Sequence, residues 1–158
     1  MNQDPIMPEL PEVESARMLM EKHCIGSSIA QIDMLETGGG PRSGQFDDKV
    51  CDLPIDSYLA LQDSVLQSVH RRGKQLWFKL SGDTSLLWHF GMTGSFVIRG
   101  EPIPEYKSFV VNTSEQEWPP KFTKCHVKFS NGKELAFCDP RRLGKITIRG
   151  PEPEVARK

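Results

Sequence analysis

The spacing of apolar positions changes once along the chain, from a helical period to a strand period. Over residues 11–25, Val13, Ala16 and Met20 recur at helical spacing. Pro11 suits a first helical position, Glu12 and Glu14 fall in the first turn where the helix dipole favours acids, and Gly26 offers a stop. A helix is therefore predicted over 11–25, followed by a strand at 28–35. Gly38-Gly39-Gly40-Pro41 cannot hold regular structure, so 37–44 reads as an exposed loop, and a short helix is predicted at 56–62. Beyond that, short runs rich in branched and aromatic residues at 65–71, 75–80, 86–90, 95–98, 125–129, 134–138 and 145–148 are separated by turn residues. They predict antiparallel strands, and Asn131-Gly132 is the strongest hairpin signal because both residues tolerate positive φ. Residues 100–122, with Pro102, Pro104, Pro119 and Pro120, read as a long irregular insertion, and the stretch after Gly150 as a frayed tail.

Composition sets bounds on this mostly β, α+β pattern. With 158 residues, 37% hydrophobic and 26% charged, the chain has the make-up of one globular domain rather than of a disordered segment. The apolar runs at 75–80 and 86–90 fall far short of the roughly 20 residues that span a bilayer, and the first twenty residues are acidic. The expectation is a soluble chain without a signal peptide. Cys24, Cys51, Cys125 and Cys138 form no CxxC pair and have no histidine at finger spacing, so reduced structural thiols are expected and no metal site. The net charge of −1 conceals an asymmetry: residues 1–69 carry 4 basic and 12 acidic side chains, residues 70–158 carry 16 basic and 9 acidic. A polyanionic partner is compatible with that distribution, and so is a solvated face.

Three clusters carry the chemistry. The first is Met7-Pro8-Glu9-Leu10-Pro11-Glu12-Val13-Glu14, which alone reads as a capped helix entry. The second is Arg71-Arg72-Gly73-Lys74-Gln75-Leu76-Trp77-Phe78 running into His89-Phe90-Gly91-Met92-Thr93-Gly94-Ser95-Phe96, alone a strand edge with cations and a glycine bulge. The third is Asp139-Pro140-Arg141-Arg142-Leu143-Gly144, alone an Asp-Pro turn with two arginines. In this order and together they resemble the formamidopyrimidine-DNA glycosylase (MutM/Nei-type) family over residues 7 to about 149. Glu117-Trp118-Pro119-Pro120-Lys121-Phe122 is similar to the plant and fungal branch.

The resemblance implies an antiparallel β-sandwich with two flanking helices: a catalytic domain over 7–150, preceded by an extension at 1–6 and followed by a tail at 151–158. The family's helix-two-turn-helix module and zinc finger are not expected in this chain, nor is any cofactor. Family members are base-excision repair enzymes that remove oxidised bases such as 8-oxoguanine and formamidopyrimidines and nick the abasic site. By resemblance Pro8 is the nucleophile: once Met7 is removed its secondary amine titrates near pH 8, so a share is unprotonated at neutral pH, and its attack on C1′ leaves an iminium bond to DNA. Glu9 supplies a proton to the sugar ring oxygen, Lys74 contacts phosphate and serves in β-elimination, and Glu12 is an accessory acid. His89 meets a phosphate beside the lesion, and Lys124 stands where bacterial members place a histidine on DNA. Met92, Arg141 and Leu143 fill the gap left by the extruded nucleotide, Arg141 facing the orphaned base and Leu143 replacing the usual phenylalanine. Arg142 is expected on backbone phosphate. The expected partner is damaged double-stranded DNA, with no membrane, for an intracellular protein placed in the nucleus with an organelle as the alternative; the sequence leaves its oligomeric state open, a monomer being the preferred expectation. If residues 1–6 stay attached, the Pro8 nitrogen is a tertiary amide without a basic lone pair, and the alternative is a catalytically inactive DNA-binding module.

Overall fold

The computed structural model describes residues 10–101 and 118–150. Pro8 and Glu9, most of the proline-rich insertion and the tail lie outside the described residues. Helix α1 covers Leu10–Cys24 and α2 Ile55–Leu59; the strands are β1 (Ile29–Asp33), β2 (Leu66–Arg72), β3 (Gln75–Leu80), β4 (Thr84–His89), β5 (Ser95–Ile98), β6 (Thr123–Phe129), β7 (Glu134–Cys138) and β8 (Lys145–Arg149). They form two four-stranded antiparallel sheets, in the orders β1-β6-β7-β5 and β2-β3-β4-β8.

Strand alternation explains why the sheets face each other. On β3, Leu76, Phe78 and Leu80 are buried while Gln75, Trp77 and Lys79 point away; on β4, Leu86 and Trp88 are buried while Leu87 and His89 point away. The inward sets meet Phe96, Leu135 and Phe137 of the other sheet, with the Trp88 and Phe96 rings edge to face at 5.0 Å. Helix α1 adds Val13, Ala16, Met20 and Cys24 to the same core, so the result is a mostly β sandwich with flanking helices, as the resemblance implied.

Boundaries differ from the pattern where side chains intervene. Strand β1 ends at Asp33 because its carboxylate accepts from the Leu35 amide at 3.0 Å and turns the chain. Strand β6 starts at Thr123, earlier than the pattern predicts, through a register shift between Thr123 and Cys125. The Asn131-Gly132 hairpin forms, but only Gly132 has positive φ; Gly132 N donates to Phe129 O and Phe129 N to Lys133 O, each at 2.9 Å, the geometry of a type I turn followed by a left-handed glycine. Asn131 acts through its side chain instead, donating to the His23 carbonyl at 2.6 Å and so satisfying an orphan acceptor in the last turn of α1. The loop at 37–44 is not simply exposed: Thr37 N donates to Thr123 O at 3.0 Å, and Gly40 is buried.

All four cysteines are buried free thiols; burial pushes Cys24 up to about 11 and Cys51 up to about 12, which keeps them protonated. Among the described residues no group of His, Cys, Asp and Glu is arranged to hold a metal ion, and no helix is long and apolar enough to cross a membrane.

Helix α1 is tied to β2 by charge. Glu14 accepts from Arg17 Nη2 at 2.6 Å and from Arg71 Nε at 2.8 Å, and these hydrogen bonds hold its carboxyl at about 2. A carboxyl depressed on folding stabilises above its ordinary pKa near 4.5, and the contribution is lost as pH falls toward 2. Glu14→Gln is therefore expected to flatten the acid limb of urea stability between about pH 5 and 2 while costing about 1 kcal/mol or less at pH 7, as befits a half-exposed pair.

Candidate nucleic-acid interface

One end of the β2-β3-β4-β8 sheet gathers most of the described candidate residues. Lys74 sits in the β2–β3 turn just after Gly73, whose φ of +61° suits the tight reversal, and Arg71 Nη1 braces that turn by donating to the Gly73 carbonyl at 3.1 Å. His89 ends β4, paired with Gln75 of β3 and Lys145 of β8, so it lies beside the Lys74 turn. Its Nδ1 accepts from the Gly91 amide at 3.0 Å; in the neutral ring that leaves Nε2–H as a donor toward solvent.

Two loops lie directly beyond. The β4–β5 loop carries Met92 and the β7–β8 loop carries Arg141 and Leu143; all three are exposed, Met92 and Leu143 to 37% each. Asp139, fully buried, fastens the loops together: Oδ1 accepts from the Thr93 hydroxyl at 2.5 Å and Oδ2 from the Gly144 amide at 2.7 Å. The backbones touch because two glycines let them. A Cβ at Gly91 would lie 2.7 Å from the Leu143 carbonyl, and one at Gly144 2.6 Å from the His89 carbonyl oxygen. Gly91, at φ +60°, is also in a region L side chains rarely adopt. Gly91→Ala should then displace the loop rather than unfold the sandwich, with a loss of about 1–3 kcal/mol in thermal denaturation.

A second feature holds the β7–β8 loop from behind. Lys124, expected on DNA, is not on the surface: its side chain is 1% exposed, and Nζ lies 2.5 Å from Glu36 Oε1 and 2.9 Å from Asp47 Oδ2. This placement replaces the expected one, since an ammonium enclosed by two carboxylates has no face left for phosphate. Arg142, expected on phosphate, donates to Asp47 from Nε at 2.8 Å and from Nη2 at 3.0 Å. Its φ of +57° puts the backbone in the left-handed region, and the bidentate pair with Asp47 holds it there. Burial alone would raise the Asp47 carboxyl, but hydrogen bonds from Arg142 and Lys124 outweigh it and keep the group well below the usual carboxylate range. Arg141 and Leu143, on either side of the anchored Arg142, project outward.

Glu12 lies in the first turn of α1, half-buried. Pro8 and Glu9 precede the described residues. The sequence did not single out Glu36 or Asp47, and it gave Glu14 and Thr93 no role beyond their places in the helix entry and the second cluster. The only available signal was that Asp47 and Glu36 flank a glycine-rich stretch, which is read as solvated without its packing partners.

The arrangement offers a lysine, an imidazole N–H and an arginine as anion donors around two protruding apolar side chains, a combination suited to a backbone polyanion whose bases can be unstacked. Comparison with known proteins agrees. The formamidopyrimidine-DNA glycosylase N-terminal domain family matches residues 7–146. A formamidopyrimidine-DNA glycosylase of Arabidopsis thaliana is 35% identical over 144 residues, covering 90% of this chain and 34% of that protein; one of Nocardioides is 31% identical over 154 residues, covering 95% and 46%. The fold is similar to wild-type Lactococcus lactis Fpg (MutM) in complex with an N7-benzyl-Fapy-dG-containing DNA, at a TM-score of 0.65 and 23% identity, covering 90% of this chain and 44% of that one. It is also similar to the Lactococcus lactis protein bound to abasic-site DNA, at TM-score 0.65 and 21% identity, covering 94% and 46%. The chain thus spans between a third and a half of the length of these relatives. By the extent of the family match and by its identity to these curated relatives, this chain belongs to the formamidopyrimidine-DNA glycosylase family, as its N-terminal domain.

Proposed function

We propose that the chain acts in base-excision repair on damaged double-stranded DNA, as an N-glycosylase for oxidised bases and a lyase at the resulting abasic site. The observation that carries this reading is the convergence at one sheet end of Lys74, His89 and Arg141 with the protruding Met92 and Leu143, on loops locked by Asp139. A base inside a duplex is out of reach of any side chain, so the nucleotide must be turned out and its place filled. Met92 and Leu143 are the wedge. Unstacking costs about a few kcal/mol, offset by contacts the bent duplex makes, and Arg141 supplies donors to the unpaired partner base.

The reacting group is the Pro8 amine. Its lone pair bonds to C1′ while the C1′–N glycosidic bond breaks and the base departs with a proton. Glu9 protonates the ring oxygen as the sugar opens, leaving a C1′ iminium on Pro8. The iminium acidifies C2′–H; loss of that proton, assisted by Lys74, expels the 3′ phosphate, and hydrolysis frees Pro8. Lys74 and His89 hold the flanking phosphates in place for these steps.

The test uses the chain beginning at Pro8, incubated with duplex carrying either 8-oxoguanine or an abasic site, then reduced with borohydride. The expected result is a nicked strand and a covalent protein–DNA adduct. Duplex binding without adduct would leave only the binding module, and absence of both would remove the DNA reading.

A further inference from the structure

The two sheets differ on their outer faces. Strands β1, β5, β6 and β7 include Asp33 and Glu134, whereas β2, β3, β4 and β8 contain no Asp or Glu at all. Cross-strand register arranges their outward positions in three rows. The first, nearest the Lys74 turn, aligns Arg72 of β2 with His89 of β4 and Lys145 of β8; the third aligns Lys79 of β3 with Arg149 of β8. Between them, His70 and Trp77 stand opposite each other with rings stacked at 5.3 Å and 21°, and His70 Nε2 is held 2.8 Å from Ser68 Oγ. Among the described residues none of the formal cations in these rows is in an ion pair; Lys145 alone is engaged, donating to the Lys49 carbonyl at 2.6 Å. Arg71, whose side chain points to the other side, is the strand cation that Glu14 takes.

We propose that this outer face is a second nucleic-acid site, binding a short single-stranded segment with its phosphates on Lys79 and Arg149 and an unpaired base added to the His70–Trp77 stack. Four strands at about 4.8 Å spacing and three rows about 7 Å apart make a platform of roughly 14 by 14 Å, room for a few nucleotides. A flat sheet touches a duplex only along its ridge, and a duplex hides the base faces that a ring stack could extend; a single strand offers both charge and bases. The site adjoins the lesion-facing loops through His89 but uses residues that the proposed repair chemistry does not.

The test measures anisotropy of fluorescein-labelled (dT)12 with the chain beginning at Pro8 across a salt series. The logarithm of affinity is expected to fall with the logarithm of salt at a slope of about −1.4, and Lys79→Ala with Arg149→Ala to remove most of that slope. His70→Ala should weaken binding about tenfold with the slope unchanged. All three side chains are exposed, so the fold is expected to persist. Adduct formation with abasic duplex should be unaffected in the Lys79/Arg149 variant. Failure of (dT)12 to bind, a slope untouched by the double substitution, or equal displacement by polyglutamate of matched charge would overturn the proposal. Oligonucleotide binding without any adduct on abasic duplex would uphold it and remove the repair chemistry instead.

Discussion

Asp47→Asn is expected to lower the melting temperature by about 10 °C. The substitution leaves Lys124 with one carboxylate in place of two at a position 1% exposed, and it strips Arg142 of a charged acceptor that now takes two hydrogen bonds. Breaking a buried ion pair by removing one partner costs about 3–5 kcal/mol because the other charge stays behind unpaired, and each kcal/mol moves the melting temperature of a domain this size by about 2–4 °C. Local backbone bonds do not explain the loss, since an asparagine oxygen can still accept from the Lys49 and Val50 amides that Asp47 Oδ1 now caps. Lys124→Met should cost as much for the complementary reason, leaving Glu36 and Asp47 to face each other. The double variant should lose markedly less than the two single losses combined, the mark of groups that act as a unit. The pH dependence has a fixed sign. Asp47 is depressed on folding, so its contribution is complete above its ordinary pKa of 3.8 and fades below it, and the asparagine variant should lack that part of the acid limb. Differential scanning calorimetry with urea titration measures all of these. The same substitution should also weaken damaged-duplex binding beyond what its stability loss explains, because Arg142 anchors the loop carrying Arg141 and Leu143.

The strands of the β2-β3-β4-β8 sheet were legible because its outer face is wet, and β3 and β4 alternate cleanly enough for their cores to be read from the chain. The recognition loops were legible as well, since Gly91 and Gly144 are required by backbone contacts that hold them in place. What the sequence concealed is the inside of the charged cluster. Lys124 lies in β6, Glu36 and Asp47 flank a loop, and Arg142 sits in a turn; nothing local says that four ionisable residues so far apart will meet, and a lysine in a strand reads as solvated or as a phosphate ligand. Burial reversed that reading. Asp139 was hidden differently: the Asp-Pro turn was visible, but its service to Thr93 and Gly144 depends on a contact across sequence that only the folded sandwich creates.

Keeping the residues ahead of Pro8 attached is expected to lower adduct formation by about a thousandfold or more, the scale of deleting a nucleophile. As the first residue, Pro8 has a secondary amine that is partly unprotonated at neutral pH; behind Met7 its nitrogen is a tertiary amide whose lone pair is delocalised into the carbonyl. The amide alters the reactivity of one nitrogen, so both forms are expected to melt alike and to hold damaged duplex with similar affinity. A parallel fall in binding and adduct would mean that the leader obstructs the DNA face rather than masking the amine.

Tandem mass spectrometry of the borohydride-reduced adduct, digested with trypsin, locates the reacting nitrogen most directly. If a free imino terminus performs the chemistry, the deoxyribose remnant is carried by the nitrogen of Pro8 in the peptide of residues 8–17. A remnant on Lys74 or another lysine, or none on any peptide from a chain that binds the duplex, would contradict it.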